Sequence, residues 1–444
     1  GSLDSRIPKR TGLPAGVAGS SPPPQETPTA MGLTTKPMER VRVGFIGVGA
    51  RGSGHVSQML QLDGVEVTAI CDLYEDWAER SAKTCTDKGR PKPAVYSGGP
   101  EKWKDLVQRA DVDIVLISTP WEDHVPMAVG AMRAGKHAFI EVPAATTVDG
   151  CWQLVEACES TRLHCMMMEN VNYGREELMV LNMCRQGVFG ELLHGEAAYI
   201  HDLRWQMNEV ERGTGSWRTL EYMKRNGNLY PTHGLGPVAH YMGINRGDRL
   251  DFLSSVSSPS RAREIFANEH FPEGHKWRTG RFVCSDINTT IAKTVLGKTL
   301  MIQWDEQLPR PYTRHNLVQG TKGVWGGFPA RTVVEGLTEN TESWVQGSKL
   351  KEFFDKFDHP VWTKVASDPA NQGGHGGMDF VMLWRIVYCL RGGLPLDQDV
   401  YDAAMWSVIG PLSEESVSNR GKSVDVPDFT RGAWKSGKPV DLLD

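Results

Sequence analysis

Short apolar runs alternate with amphipathic stretches between residues 41 and 168, and this alternation predicts the architecture of the first part of the chain. The run Val41–Ile46 is typical of a buried strand, a helical stretch follows it to about Leu62, and a second strand over 65–70 leads into Asp72. The same alternation predicts further strands at 113–118, 138–141 and 164–168, with helices between them at 125–134 and 147–160. Strands that alternate with helices favour a doubly wound parallel sheet, so the expected fold class is α/β.

The pattern changes after about residue 172, where we expect a second domain. A helix is predicted over 176–186, a strand over 193–199 and a long helix over 380–390. Later strands, divided by loops rich in Gly and Pro, are predicted at 289–296, 299–304 and 333–335. These segments indicate a C-terminal α/β domain with a largely antiparallel open sheet.

Both ends of the chain are expected to be tails. Residues 1–38 are rich in Pro, Ser, Thr and Gly and show little apolar periodicity, which predicts a linker-like or disordered segment. Gly1 and Ser2 look like a cloning remnant, so an export signal is expected to have stood upstream. The expected regions are a tail at 1–38, a nucleotide-binding domain at 39–172, a substrate-binding domain at 173–430 and a C-terminal tail at 431–444.

Composition narrows the class of protein. The 444 residues include 49 Lys and Arg against 54 Asp and Glu, and no basic stripe marks a nucleic-acid surface. Hydrophobic residues make up 40% of the chain, but no apolar run approaches the roughly 20 residues of a membrane-spanning helix. The eight cysteines form no Cys-x-x-Cys pair, and neither a His-Glu-x-x-His motif nor an EF-hand loop is present. We therefore expect a globular protein with no disulfide scaffold and no metal.

The strongest chemical signal is a glycine-rich turn between the first strand and the first helix. Gly47, Gly49 and Gly52 form the spacing Gly-x-Gly-x-x-Gly, and Asp72 follows at the end of the next strand. In this context the glycines permit a tight turn, close approach of a pyrophosphate to the backbone and close helix packing. The carboxylate of Asp72 suits a ribose 2′-hydroxyl and repels a 2′-phosphate. The sequence therefore predicts a Rossmann domain that binds NAD in preference to NADP.

Two more motifs fall at predicted strand ends and carry a first resemblance. Thr119-Pro120 precedes His124 with the spacing Thr-Pro-x-x-x-His, and residues 141–143 read Glu-Val-Pro. This pattern resembles the oxidoreductase family typified by glucose–fructose oxidoreductase and inositol dehydrogenase. In that family the middle position of the second motif is usually a lysine near the reacting hydroxyl. Here it is Val142, which can neither take nor give a proton, so an ordinary dehydrogenase reaction would need another base.

The best candidates for proton transfer lie in residues 227–237, where Tyr, Thr and His stand between glycines and prolines. We expect a rigid loop that presents Tyr230 and His233, because imidazole titrates near neutral pH and a phenol can donate or accept. Residues with weaker claims to a binding role, for which packing is the alternative, are Asn170, Tyr199, Arg218, Tyr312 and His375.

Taken together, residues 47–52, 121–124, 141–143, 230–233 and 374–379 resemble the NAD-dependent α-N-acetylgalactosaminidases, over about residues 40 to 440. Val142 belongs to that pattern. The resemblance implies cofactor contacts at Gly47, Gly49, Arg51, Gly52, Asp72, Trp121, Glu122, Asp123, His124, Glu141, Val142, Asn170 and Tyr230. It implies substrate contacts at Tyr199, Arg218, Tyr230, Pro231, Thr232, His233 and Tyr312. His233 and Tyr230 are the implied catalytic residues, and which of them handles which proton is left open.

The resemblance implies a glycosidase that removes terminal α-linked N-acetylgalactosamine from glycans such as blood-group A type antigens. Its NAD would be tightly bound and not consumed, because the sugar is oxidised transiently at C3, undergoes C1–C2 elimination and water addition, and is reduced again with retained configuration. No carboxylate pair of the common glycosidase type is apparent. The alternatives are an NAD-dependent sugar or inositol dehydrogenase and a non-catalytic NAD-binding sugar sensor, since one fold serves many functions.

The expected partner is a glycan, with no nucleic acid, no membrane-spanning segment and no metal, and a homo-oligomer is left open. The Pro-rich leader and a glycan substrate favour export in a bacterium, to the periplasm or the medium. The cysteines, which show no apparent pairing, argue instead against export, because exported proteins commonly pair their cysteines in disulfides.

Overall fold

Six parallel strands form the first sheet of the structure, a computed structural model that describes residues 28–371 and 373–443. The strands are β1 (Val41–Ile46), β2 (Val65–Asp72), β3 (Ala94–Ser97), β4 (Ile114–Ile117), β5 (His137–Ile140) and β6 (Cys165–Met167), in the order β3-β2-β1-β4-β5-β6. The order reverses between β1 and β4. At such a switch point the loops that leave the two strands part and open a crevice at the carboxyl edge of the sheet, which is where doubly wound folds bind their ligands.

Five helices cover this sheet, and their apolar faces are the ones that pack on it. They are α1 (Ala50–Met59), α2 (Glu75–Asp87), α3 (Trp103–Val107), α4 (Trp121–Arg133) and α5 (Val148–Thr161). Strands β1, β4 and β5, in the middle of the sheet, are almost wholly buried, as expected of a parallel sheet covered on both faces.

A second sheet of nine strands follows. It comprises β7 (Leu192–Ile200), β8 (Leu250–Ser257), β9 (Asn288–Thr294), β10 (Thr299–Asp305), β11 (Leu317–Gly320), β12 (Gly323–Gly326), β13 (Arg331–Val334), β14 (Val345–Gln346) and β15 (Val424–Asp425). The order is β14-β13-β12-β11-β7-β10-β9-β8-β15, and all pairs are antiparallel except β7 with β10. The two sheets confirm the predicted α/β fold class. Alternate residues of β9 are buried and exposed, so one face of the sheet is covered and the other is open.

In residues 173–371 and 373–443, the structure shows nine α-helices. They are α6 (Arg175–Arg185), α7 (Thr214–Lys224), α8 (Thr232–Met242), α9 (Ala262–His270), α10 (Lys276–Thr279), α11 (Lys351–Phe357), α12 (Pro360–Val365), α13 (Met378–Gly392) and α14 (Val400–Ser418). The last two helices, α13 and α14, contact the part of the chain that forms the first sheet. Ser407 on α14 accepts a hydrogen bond from the backbone N–H of Ala144 at 3.0 Å, and Asp379 on α13 binds Arg51 on α1.

One predicted loop is wrong. Residues 227–237 were expected to be irregular because of their glycines and prolines, but helix α8 begins at Thr232 and includes Pro237. The glycines of α8 allow the helix to pack closely against its neighbours and do not form a turn. A Cβ at Gly234 would run into the backbone of Ala198 on β7, and a Cβ at Gly236 would lie 2.9 Å from the side chain of Glu169. The helix therefore lies unusually near the strand, and His233 is in its first turn.

The ends of the described chain contact the domains. Residues 1–27 of the predicted tail lie outside the described residues, whereas in residues 28–38 the buried Ala30 donates its backbone N–H to the hydroxyl of Tyr401 at 2.9 Å. Arg162 donates to the carbonyls of Pro28 and Thr29. Near the other end, Leu442 is buried. Residues 28–38 therefore differ from the linker-like segment expected from their composition.

Within residues 28–371 and 373–443, no helix is long and apolar enough to cross a membrane, and no group of three or more His, Cys, Asp and Glu side chains could hold a metal ion. All eight cysteines lie in this part of the chain and are unpaired. Seven of them are buried, and burial raises the pKa of thiols such as Cys85, to about 11.

Candidate active site

The glycine-rich turn has the shape that a dinucleotide requires. Gly47 has φ of +85°, and a Cβ there would lie 2.7 Å from the carbonyl oxygen of Ser118, which leaves β4 on the other side of the crevice. A Cβ at Gly52 would overlap the carbonyl oxygen of Gly47. The turn is therefore tight, and it directs the free N–H groups at the start of α1 into the crevice, where they can bind phosphate.

Asp72 ends β2 beside this turn. Its carboxylate accepts hydrogen bonds from the backbone N–H of Val48 at 2.8 Å and of Tyr74 at 2.9 Å. Burial raises the pKa of Asp72, and the two N–H groups oppose that shift. The carboxylate thus sits at the strand end where a Rossmann fold holds the ribose hydroxyls. Gly49 stands nearby, where a Cβ would lie 3.1 Å from the ring of Trp77.

Several polar atoms at the carboxyl edge of the first sheet are buried without a hydrogen-bond partner in the described chain. They are Ser118 Oγ, Glu169 Oε2 and Asn170 Oδ1. Buried polar atoms are normally paired, so an unpaired group of them indicates a ligand that supplies the partners. The crevice, the turn and these atoms together fit a dinucleotide.

Arg51, on the first turn of α1, joins an ion cluster at the same edge. Its guanidinium lies 3.2 Å from Glu141 Oε1 and 2.8 Å from Asp379 Oδ2, and Glu141 is also 2.6 Å from the ring of His55. Although burial opposes the shift, Arg51 and His55 lower the pKa of Glu141 to about 2. His375 Nδ1 lies 2.7 Å from Asp379. Glu141 is therefore ionised, and its carboxylate is occupied by its contacts with Arg51 and His55.

The predicted cofactor residues 121–124 begin α4 and differ in environment. Trp121 is buried, Glu122 is exposed and Asp123 is half-buried. Burial raises the pKa of Asp123, and the charge of Glu122 adds to the shift. His124 is buried between two backbone carbonyls, those of Pro143 at 2.7 Å and Thr119 at 2.8 Å, and burial lowers its pKa. These contacts tie the ends of β4 and β5 together.

Val142 is 3% exposed in this same edge. It has no group that could transfer a proton, so any base must come from another element. Asn170 follows β6 and donates through Nδ2 to Asp379 Oδ1 at 2.6 Å, which links the edge of the first sheet to α13.

The imidazole of His233 is backed by a buried carboxylate. His233 Nδ1 lies 2.6 Å from Oε1 of Glu169, whose side chain is fully buried at the end of β6. A carboxylate at Nδ1 holds the proton there and leaves Nε2 as the acceptor. The His233 side chain keeps 14% of its surface exposed. This pair has the geometry of a general base and its orienting group. The neighbouring Pro231 and Thr232 are buried.

Aromatic rings surround His233. Tyr230 lies with its ring centroid 5.0 Å from His233, 4.9 Å from Tyr199 and 5.8 Å from Trp121, on which it stacks. Tyr199 is also 5.2 Å from His233 and 6.0 Å from Tyr312. Burial raises the pKa of Tyr230 well above its usual range, against the effect of Arg218, so its hydroxyl stays protonated.

Arg218 stands over three of these rings. Its guanidinium carbon is 5.0 Å from the centroids of Trp121 and Tyr230 and 5.3 Å from that of Trp217. It also pairs with the buried Glu306 at 3.5 Å, while its Nε is buried without a partner in the described chain. A cation in an aromatic enclosure with spare hydrogen-bonding capacity is suited to bind an oxygen-rich ligand.

The structure thus brings most predicted residues into one region between the two sheets, here called the cleft, with the first sheet on one side and β7, α7 and α8 on the other. Glu122 is the outlier, since it is exposed at the start of α4. Tyr312 lies at the open end, 37% exposed, and receives a hydrogen bond from Arg314. Residues that sequence reasoning missed in this cleft are His55, Glu169, His201, Trp217, Glu306 and Asp379. Glu169 directly precedes Asn170, but its partner His233 is 64 residues away, so no local pattern reveals the pair.

Comparisons with known proteins divide the chain at the same place as the two sheets. Residues 41–169 match the family described as "Oxidoreductase family, NAD-binding Rossmann fold", and residues 173–436 match "Glycosyl hydrolase 109, C-terminal domain". A glycosyl hydrolase family 109 protein of Shewanella pealeana is 57% identical over 433 residues, which cover 97% of this chain and 94% of that protein. A second one, from Shewanella putrefaciens, is 57% identical over 425 residues, covering 95% and 92%.

Solved structures share the fold. An NAD-binding oxidoreductase from Klebsiella pneumoniae superposes with a TM-score of 0.67 at 18% identity, covering 88% of this chain and 100% of that one. The scyllo-inositol dehydrogenase of Lactobacillus casei, with bound NAD(H) and scyllo-inositol, gives 0.61 at 14% identity, covering 87% and 99%. At these identities the likeness is one of architecture.

Proposed function

The chain belongs to glycosyl hydrolase family 109, and from that premise we propose that it removes terminal α-linked N-acetylgalactosamine from glycans such as blood-group A type antigens. The observation that carries the proposal is the hydrogen-bonded pair of His233 and Glu169, which lies opposite the dinucleotide crevice. On the crevice side, Val142 occupies the position at which the related oxidoreductases usually have a lysine. A base is present, but it lies on α8 and not on the first sheet. This supports a chemistry different from that of a simple alcohol dehydrogenase.

The cleft residues suit a resident NAD. The glycine turn would hold the pyrophosphate, Asp72 the ribose, and Asn170 with its unpaired Oδ1 the end of the cofactor that reacts. When bound there, NAD supplies a reversible hydride exchange with C3 of the sugar, so the cofactor is regenerated in each turnover. The remaining steps, which are loss of the aglycone and addition of water, depend on proton transfers that side chains can perform.

His233 is suited to take the proton of the C3 hydroxyl. Its Nε2 is the free acceptor because Glu169 holds the proton on Nδ1, and the buried carboxylate stabilises the imidazolium that forms. Tyr230 remains protonated, so it is suited to donate a hydrogen bond to the same sugar oxygen. We propose these two as the catalytic residues at C3.

Arg218 and Tyr312 would orient the sugar. Arg218 can bind a sugar oxygen or the acetamido carbonyl from its aromatic enclosure, and Tyr312, fixed by Arg314, lies at the open end of the cleft. The rings of Tyr199 and Tyr230 offer apolar faces to the C–H groups of a pyranose.

The proposed route explains hydrolysis without a pair of carboxylates flanking the glycosidic bond. With C3 at the ketone level, the proton on C2 is acidic and a base can remove it. The aglycone then leaves from C1, water adds to C1 from the same face, and C2 is protonated again. The configuration at C1 is retained.

The test is turnover of 4-nitrophenyl α-N-acetylgalactosaminide in D₂O with no added oxidant, followed by NMR. We expect nitrophenol release with deuterium at C2 of the sugar, and His233→Ala should abolish both. His194→Ala is the matched control, since His194 is on β7 but hydrogen-bonded to Thr299 on β10. Net accumulation of NADH without nitrophenol would refute the glycosidase and favour a dehydrogenase.

A further inference from the structure

We infer that Tyr199 and His201 form a second proton-transfer pair in the cleft, which acts on C2 of the sugar. The inference rests on the proposed function, because only the elimination route requires a proton to leave a carbon. Tyr199 and His201 close β7 and begin the loop after it, and neither the fold nor the glycine turn requires a tyrosine and a histidine there.

The geometry of the pair is well defined. The hydroxyl oxygen of Tyr199 lies 3.0 Å from Nδ1 of His201, within hydrogen-bonding distance, and the two rings meet edge to face with centroids 5.8 Å apart. Residues two apart in an extended chain point to the same side, so both side chains face the cleft. The backbone N–H of His201 donates to the carbonyl of Asp305 at 2.9 Å, which fixes the histidine to the end of β10.

The proposed reaction needs two bases that work on different atoms. His233, backed by Glu169, is one of them and lies beside the edge of the first sheet. His201 lies on the other side of Tyr199, where its ring is 5.0 Å from that of the exposed Tyr312. The cleft therefore contains two imidazoles, one toward the first sheet and one toward the open end, with Tyr199 between them.

A comparison of the two tyrosines decides which can serve as the second base. Burial raises the pKa of both Tyr199 and Tyr230 well above the usual range of a phenol. A protonated phenol can accept a proton only if its own proton moves on at the same time. Nδ1 of His201 is 3.0 Å from the hydroxyl of Tyr199 and can take that proton when the ring proton is on Nε2, whereas no hydrogen bond joins the hydroxyl of Tyr230 to another described residue.

Burial lowers the pKa of His201, which favours the neutral imidazole, and in the proposed pair the ring proton is on Nε2, so that Nδ1 is the acceptor. In the step we propose, the C2–H bond breaks and its proton passes to the oxygen of Tyr199 as the phenol proton passes to Nδ1 of His201. The electron pair of the C–H bond forms the C1–C2 double bond, and the C1–O pair leaves with the aglycone, which takes a proton from water. The reverse transfer protonates C2 after water has added.

His201 acts through Tyr199 and does not touch the sugar, so it is a positioning residue and Tyr199 the catalytic one. The decisive variant is His201→Asn in the holoenzyme, because an asparagine oxygen can accept the Tyr199 hydrogen bond but cannot keep the proton. Tyr199→Phe is the second variant, and it retains the ring while removing the hydroxyl. His194→Asn on the same strand is the matched control.

Two steps are measured separately with 4-nitrophenyl α-N-acetylgalactosaminide. The near-ultraviolet absorbance of reduced nicotinamide on rapid mixing reports oxidation at C3, and NMR in D₂O reports deuterium at C2. For His201→Asn and Tyr199→Phe we expect C2 exchange and nitrophenol release to fall by about 100-fold or more, while the rise in absorbance persists. The wild-type protein and His194→Asn should show all three signals.

Exchange and release at His201→Asn within about threefold of wild type would overturn the inference. Loss of the absorbance rise in both variants would also overturn it, because the pair would then be needed for binding or for oxidation at C3. Should His201→Asn fail to fold, Tyr199→Phe decides alone by the same criteria. Wild-type release without deuterium at C2 would instead refute the proposed function, and this inference with it, so the two failures are distinguishable.

Discussion

Replacement of Glu169 by glutamine tests the proposed base, His233, most directly. Glu169 is fully buried, and its Oε1 lies 2.6 Å from Nδ1 of His233, while Oε2 has no partner in the described chain. Glutamine has the same shape but no charge, and it can present an NH₂ group to the ring. The substitution therefore leaves the packing unchanged and removes two functions of the carboxylate, which are to fix the tautomer and to stabilise the imidazolium.

The expected loss follows from those two functions. An oriented general base contributes about 100- to 10,000-fold to rate, which corresponds to about 3–5 kcal/mol of activation free energy. Glu169→Gln should therefore lower kcat on the aryl galactosaminide by at least about 100-fold. Stability should change by less than about 1 kcal/mol, because the change removes a buried charge and leaves a neutral histidine behind.

The assay is steady-state nitrophenol release, with thermal unfolding and NAD content measured on the same samples. Glu159→Gln is the matched control, since Glu159 is also buried but binds Tyr401 and Arg431 far from the cleft. Turnover of Glu169→Gln within about threefold of wild type, in a folded protein with full NAD content, would refute the assignment of His233 as the base.

Three further predictions concern the cofactor and its surroundings. Gly52→Ala should weaken NAD binding by about tenfold or more and lower the free energy of unfolding by about 1–3 kcal/mol, because the new Cβ overlaps the carbonyl of Gly47. Fluorescence titration measures the binding, and denaturant unfolding measures the stability. Asp72→Asn should weaken NAD binding by about tenfold and reduce the ratio of NAD affinity to NADP affinity, which the same titration with each cofactor measures. Although burial opposes the shift, Arg51 holds the pKa of Glu141 at about 2, below its ordinary value of 4.5, so the stability that this charge supplies is complete above about pH 5 and lost as the pH falls toward 2. Glu141→Gln should remove that acid dependence, which amounts to about 2 kcal/mol between about pH 7 and about pH 3 and is measured by urea unfolding at those two pH values.

Much of the first sheet could be predicted because most of its strands are short, largely apolar and separated by helical patterns. Strand β3 (Ala94–Ser97) was missed, since it lies at the sheet edge with every residue half-buried and carries no apolar run. Helix α14 (Val400–Ser418) was missed for the opposite reason. It is buried on nearly all sides and shows no amphipathic stripe from which to recognise a helix.

The cofactor side of the cleft was also accessible from sequence, because a glycine turn and the acidic residue after the next strand are a local pattern. The side of the cleft with the residues proposed for proton transfer could not be predicted in this way. His233 and Glu169 are far apart in the chain and meet only because α8 packs closely on β7 and on the segment after β6, through Gly234 and Gly236. Glycines that looked like loop residues in fact permit this close approach, so the same feature caused the error in secondary structure and concealed the pair.

The position of the base bears on why this fold can support hydrolysis. A lysine at position 142 would stand on the edge of the first sheet, where it could serve only the hydroxyl that reacts with the cofactor. Val142 removes that base, and the imidazoles of the cleft come instead from the second domain, on α8 and after β7. Acceptors on two elements of that domain can reach two different atoms of one sugar ring. Under the proposed function, a second proton transfer, and with it an elimination, would then be available to a protein built on an NAD-binding Rossmann fold.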